Sequence, residues 1–136
     1  MIKIEFHDDR EPALDETTLN LLQTYTETAI SYSTSEIEIG TYKGEKLYRR
    51  IIEATTISGY NHISLSSITN LKDVKFMYGM TKQYNSNNKM NLYFYNSSSD
   101  MCRAYYEATS NEIVVHCGND YGFGDVEITI EYTKTS

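Results

Sequence analysis

From Ser31 to the C-terminus, apolar side chains return at every second position, and this period constrains the fold more than any other feature. The segment DVEITIEYTK is the cleanest case: Val126, Ile128, Ile130 and Tyr132 fall on one face, and Asp125, Glu127, Thr129 and Glu131 on the other. A period of two with one polar face specifies an antiparallel strand buried on one side, not a parallel α/β sheet. EIEIGTY sets Ile37 and Ile39 against Glu36 and Glu38, and VKFMYGM is expected to align Val74, Phe76, Tyr78 and Met80 on one face. MNLYFY offers Met90, Leu92 and Phe94, MCRAYYEA offers Cys102, Ala104 and Tyr106, and EIVVHC offers Ile113, Val115 and Cys117. Lys43-Gly44 reads as a hairpin with glycine in the left-handed position. EKLYRRIIEATT alternates poorly because Arg49 and Arg50 interrupt both faces; a bulge there, or cover from a neighbouring chain, is expected. Between these runs lie the turn-forming clusters NSNN at 85–88, NSSSD at 96–100, TSN at 109–111 and GNDYGFG at 118–124. The expectation is a mostly β chain: an antiparallel, jelly-roll-like β-sandwich of seven or eight strands, without internal repeats.

The first thirty residues follow another rule. Residues 1–14 read as an extended arm, with Pro12 discouraging helix before it. Asp15 is a good N-cap, and DETTLNLLQTYTETAI places Leu22, Tyr25 and Ala29 on one helical stripe, widened by Leu19 and Leu21. A helix of four turns is marginal alone and must pack on the rest of the chain or on copies of itself. The chain therefore divides into an arm and oligomerisation helix over 1–30 and a β-sandwich head over 31–136.

Charge and composition exclude several functions. Against 12 basic side chains stand 19 acidic ones, a net of -7, which repels phosphate and argues against nucleic acid as a partner. No apolar run approaches the ~20 residues of a bilayer span, and MIKIEFHDDREP lacks the apolar segment of a signal peptide, so a soluble chain without membrane insertion or a leader is expected. With 13 tyrosines, 4 phenylalanines and no tryptophan, the aromatic content suits half-buried strands and also recognition surfaces. Cys102 and Cys117 read as buried free thiols on neighbouring strands.

The search for chemistry ends mostly without a site. His116 adjoins Cys117, but adjacent strand residues point to opposite faces and do not share an ion; His7-Asp8-Asp9 reads as a solvated arm. No G-x-S-x-G is present, and Ser66, His62 and an aspartate are common residues, not a triad. GNDYGFG opens no helix and is not a phosphate loop. No catalytic residue, metal ligand or cofactor is expected. Three polar loops with aromatic side chains have the chemistry of a saccharide site: Tyr60-Asn61-His62, then Tyr84 with Asn85, Asn87 and Asn88, and Asn119-Asp120-Tyr121. Each also reads as a plain turn.

YSTSEIEIGTYKGEKLYRRII at 32–52 resembles the opening of a C-terminal head module in tail fibre or receptor-binding proteins of phages and prophages of Gram-positive bacteria. Tyr32, Ser33, Thr34, Glu36, Gly40, Tyr42, Gly44, Tyr48, Arg49 and Arg50 carry the likeness, and Tyr132, Thr133 and Lys134 resemble its Y-T-K close. Tyr42 departs from the tryptophan frequent there. FHDDREPALDETTLNLLQ is similar to an attachment segment of such proteins through Asp9, Arg10, Pro12, Leu14, Leu19, Asn20, Leu22 and Gln23. The resemblance implies a virion component made in the bacterial cytoplasm and assembled as a homotrimer. Residues 1–30 would join other tail or baseplate proteins, and the head would bind a bacterial surface saccharide. Leu19, Leu22, Tyr25 and Ala29 would then serve self-association, and Arg49 and Arg50 would sit at a subunit boundary facing acidic side chains. The near absence of a shaft between helix and head favours an alternative, a cap or decoration that binds no receptor. A second alternative is a small glycan-cleaving enzyme, which needs two carboxyl groups close together in a cleft.

Overall fold

The computed structural model describes residues 19–21, 31–82, 87–119 and 124–136. The arm over 1–14 and the helix positions Leu22, Tyr25 and Ala29 lie outside the described residues. Residues 19–21 are helical, with Leu19 and Leu21 exposed. Nine strands follow among the described residues: β1 (Ile37–Tyr42), β2 (Glu45–Thr55), β3 (Gly59–Ser64), β4 (Leu71–Lys82), β5 (Lys89–Asn91), β6 (Phe94–Tyr95), β7 (Met101–Glu107), β8 (Glu112–Cys117) and β9 (Asp125–Lys134). They form two antiparallel sheets, a five-stranded one in the order β1-β2-β9-β4-β5 and a four-stranded one in the order β3-β8-β7-β6. The expected antiparallel sandwich is what the chain forms.

The core lies between the sheets and is built from the alternation. Val126, Ile128, Ile130 and Tyr132 of β9 meet Ile113, Val115 and Cys117 of β8 and Cys102 and Ala104 of β7. Leu65 and Ile68, from the β3–β4 connection, close one end of this layer. β9 is central because its inward face is apolar without interruption, so both of its edges can be paired and covered. Lys43 (φ 50) and Gly44 (φ 85) both take left-handed conformations between the facing residues Tyr42 and Glu45, the two-residue hairpin that matches strand twist.

Two expectations need correction. β2 pairs with β9 without a register shift from Tyr48↔Tyr132 to Thr55↔Asp125, so no bulge falls in EKLYRRIIEATT against its central neighbour. The irregularities lie instead in β1, between Glu38 and Gly40, and in β4, between Leu71 and Asp73 and again between Val74 and Phe76. The second β4 shift splits the expected face. Val74 stays opposite Tyr132 with the core, whereas Phe76, Tyr78 and Met80 oppose Glu131, Thr129 and Glu127 and turn outward. Met77, Gly79 and Thr81 take the inward places, opposite Ile130, Ile128 and Val126.

The first and last segments of the head are clasped together. Glu36 accepts hydrogen bonds from the Tyr132 hydroxyl at 2.6 Å and from Lys134 Nζ at 2.7 Å. Tyr132 stacks on Tyr48 with centroids 6.0 Å apart, and the Lys134 ammonium lies 5.1 Å from the Tyr48 ring centroid. One step away, Arg49 stands 4.4 Å over the Tyr32 ring, and Arg50 Nε donates to the Thr34 carbonyl at 2.7 Å. Tyr32, Thr34, Glu36, Tyr48, Arg49, Arg50, Tyr132 and Lys134, all carriers of the family resemblance, thus work as structural fasteners.

Candidate functional site

The strand directions bring the ends of β2, β4 and β8 and the starts of β3, β5 and β9 to one end of the sandwich. β2 ends at Thr55 opposite Asp125, β3 begins at Gly59 opposite Cys117, and β4 closes at Lys82 opposite Lys89. The β2–β3 connection, Asn87 and Asn88 ahead of β5, Gly118 and Asn119 after β8, and Gly124 ahead of β9 therefore share that end. Asn119 Oδ1 accepts from Ser58 Oγ at 3.0 Å, and Thr56 N donates to the Gly124 carbonyl at 2.9 Å, so the β2–β3 connection is bonded to residues just after β8 and just before β9. Asn88 is exposed just ahead of β5 at the same end. Tyr84, Asn85, Asp120 and Tyr121 lie outside the described residues.

Tyr60, Asn61 and His62 sit in strand β3 and not in a loop, which corrects the sequence expectation and separates their roles. Tyr60 opposes His116 and His62 opposes Val114, so both point away from the core, while Asn61 opposes the buried Val115. The Asn61 amide is committed to backbone. Its Nδ2 donates to the carbonyls of Ile57, Gly59 and Val115, and its Oδ1 accepts from Ile57 N at 2.8 Å. It staples the β2–β3 turn, and both of its N–H donors are taken by backbone carbonyls.

The outward face of the four-stranded sheet carries a row the sequence alone did not reveal. Tyr60 stacks on His116 with centroids 4.0 Å apart and planes 7° from parallel, and Arg103 stands directly opposite His116 on β7. The next row holds His62, Val114 and the exposed Tyr105, with His62 Nδ1 3.0 Å from a Glu112 carboxylate oxygen. Aromatic faces beside a guanidinium, imidazoles and a carboxylate form a surface able to stack on apolar C–H patches and bond to hydroxyls. Arg103 and Tyr105 belong to this surface only because β7 and β8 pair in the register Arg103↔His116. Their signal in the sequence was no more than outward positions in an alternating strand.

The five-stranded sheet has a different outer face. Tyr32, Phe76, Tyr78 and Met80 are all at least 41% exposed there, and Tyr42 meets Phe76 edge-on at 5.7 Å. Beside this strip, Arg49 Nη2 and Glu131 Oε1 are 2.8 Å apart, with both side chains nearly buried. Burial opposes the Arg49 charge, but the Glu131 carboxylate outweighs it and holds the guanidinium above its ordinary pKa. Burial also raises the Tyr78 hydroxyl, aided by its bond with Tyr32 and by the nearby Glu131 charge. Arg50 bonds Thr34 O and Ser67 Oγ. Both arginines thus have bonding partners within one chain.

Toward the loop end, the same sheet hollows into an open cleft of about 480 Å³ lined by Glu53, Thr55, Met80, Lys82, Lys89, Asp125 and Glu127. Glu53 and Glu127 face each other in register, both exposed. Among the described residues no group of three or more His, Cys, Asp or Glu side chains is placed to hold a metal ion. Nor is any helix among them long and apolar enough to cross a membrane.

Fold and geometry together define a two-sheet antiparallel sandwich with a polar-aromatic row on one face and an aromatic strip on the other. No family model, curated protein or solved structure matches the chain.

Proposed function

We propose that this chain is a head module of a phage or prophage tail fibre and attaches to a saccharide of the bacterial surface. The observation that supports this most is the outward Tyr60–His116–Arg103 row, with the bonded Ser58 and Asn119 at the same sandwich end. The exposed Tyr60 ring offers a stacking face for the C–H patches of a pyranose, and the outward Arg103 offers donors for hydroxyls elsewhere on the same sheet face. The remaining parts of the reading rest on the family resemblance: assembly as a homotrimer, attachment to tail or baseplate proteins through residues 1–30, and residence in the virion.

A glycan array probed with the whole chain, followed by binding to purified cell-wall polysaccharide, tests it. A retained glycan whose affinity falls about tenfold in Tyr60→Ala and in Arg103→Ala, a loss of ~1.4 kcal/mol, supports the reading. Absence of retention on the array and on wall material from many hosts overturns it. The exposed strip of Phe76, Tyr78 and Met80 favours the cap or decoration reading in that event, because such a face suits a protein neighbour. The facing Glu53 and Glu127 are the feature a glycan-cleaving enzyme would use; shortened products that vanish in Glu53→Gln and Glu127→Gln would establish that alternative.

A further inference from the structure

We propose that Cys102 and Cys117 form a redox modification site, a dithiol that closes to a disulfide across strands β7 and β8 when exposed to hydrogen peroxide. The two residues face each other in the ladder, and Gly118 N donates to the Met101 carbonyl at 2.8 Å just beyond them. That bond makes Cys102 and Cys117 a non-hydrogen-bonded pair, the position in an antiparallel ladder where opposite Cα atoms approach to about 4.5 Å. Disulfides span Cα separations of about 4.4–6.8 Å, so the bond needs no shift of backbone. The sulfurs already lie 3.8 Å apart, both side chains point into the core, and both are free thiols. Side-chain rotation brings them together.

The pair is also chemically uneven. The contact between the two sulfurs holds the Cys117 thiol below its ordinary pKa against the opposing effect of burial. The same contact, and then burial, push Cys102 up. Within this proposal Cys117 makes the first attack and Cys102 is the resolving thiol. The Cys117 thiolate attacks one peroxide oxygen, the O–O bond breaks, and the departing hydroxide takes a proton to become water, leaving Cys117 as a sulfenic acid. Cys102 sulfur then attacks Cys117 sulfur and the S–O bond breaks. The departing hydroxide takes the Cys102 proton as a second water. Two thiols lose two electrons and one peroxide yields two waters. Both sulfurs are buried, so the oxidant must enter through local opening. β6 supplies the route: it is an edge strand of two residues, and Phe94 is the one facing Cys102.

The crosslink would tie β7 to β8 one residue away from His116 and Arg103, independently of what that face binds. The test treats the full reduced chain with hydrogen peroxide, blocks free thiols with N-ethylmaleimide under denaturing conditions, and maps peptides by mass spectrometry. The expected result is a monomeric product lacking both maleimide adducts, with the Cys102 and Cys117 peptides joined at about 2 Da below their summed mass, the two hydrogens lost on oxidation. Dithiothreitol should then restore both adducts in full. The Tm of the oxidised chain should rise by roughly 5–10 °C over the reduced form. In Cys102→Ser, dimedone should trap the sulfenic acid on Cys117. Two maleimide adducts after prolonged exposure would overturn the proposal, as would linkage only between chains. The wild-type peptide map needs no folded variant, so it decides between these outcomes even where Cys102→Ser folds poorly.

Discussion

Glu36 shows how much a single side chain can organise when two distant segments meet on it. Burial by itself would make its carboxyl hold a proton more tightly, but hydrogen bonds from Lys134 and Tyr132 and the Lys134 charge reverse this and lower its pKa below the ordinary 4.5. A carboxyl that binds its proton more weakly when folded than when unfolded stabilises the fold above the unfolded pKa. That contribution fades as pH falls through the folded value. Glu36→Gln should therefore cost about 1–2 kcal/mol at pH 7, since the buried Tyr132 hydroxyl loses a charged acceptor, and much less at pH 3. Urea midpoints of both proteins at the two pH values measure the difference; equal losses at both would contradict the ionic origin. Asn61 illustrates a purely scaffolding residue. Asn61→Ala strips partners from the Ile57 amide and from three carbonyls, and about 2 kcal/mol of stability should go with them. Any saccharide affinity measured well below the melting temperature should stay within a factor of about two to three, in contrast to the tenfold loss expected of Tyr60→Ala.

At the scale of elements, β4 and β9 make the most demanding contact. A Cβ added at Gly79 would stand 2.1 Å from the Glu127 carbonyl oxygen and 2.9 Å from Ile128 Cα, both backbone atoms of the central strand. Neither can yield without breaking the ladder, so Gly79→Ala should destabilise by more than ~3 kcal/mol, read as a drop in urea midpoint. This also marks the limit of what sequence could tell. In β7, β8 and β9 the core-facing set was legible because alternation fixes which face meets the other sheet, but not the cover over the opposite face, where Val114, Thr129 and Thr133 are also buried. β4 was legible as a strand but not in its faces. A bulge inserts one extra residue without any mark in composition, and past it Phe76, Tyr78 and Met80 change sides. Asn61 was legible as a polar residue beside a turn, but its four backbone partners come from the β2–β3 turn and from β8, and no local pattern announces them. The same holds for Arg103 and Tyr105: pairing between distant strands, not spacing along one strand, assembles the candidate site.

For the whole molecule, the two outer faces divide the tasks that one chain of this kind would have. The four-stranded sheet presents polar atoms among its aromatics, which suits a hydrated ligand; the five-stranded sheet presents Tyr32, Phe76, Tyr78 and Met80 with less polar relief. Residues 31–33 lie on this second sheet, with the Ser31 carbonyl accepting from Arg49 Nη1 at 3.1 Å and the Ser33 carbonyl from Ile51 N at 2.8 Å. A contact between copies through this strip would therefore join the head to the root of the segment whose sequence stripe also calls for a partner. That makes the proposed trimer testable without removing the arm. Phe76→Ser combined with Met80→Ser removes apolar area from exposed positions, so it should leave the melting temperature of the sandwich within a few degrees. Light scattering should nonetheless show the mass falling from three chains toward one, with the midpoint of dissociation moving to higher protein concentration. If the doubly substituted chain stays trimeric with unchanged dissociation, self-association runs through residues 1–30 alone and the strip is free for another protein of the particle. A single-chain mass for the unsubstituted protein across the same concentrations would remove the trimer from the proposed function, leaving the saccharide row to be judged as a property of a solitary sandwich.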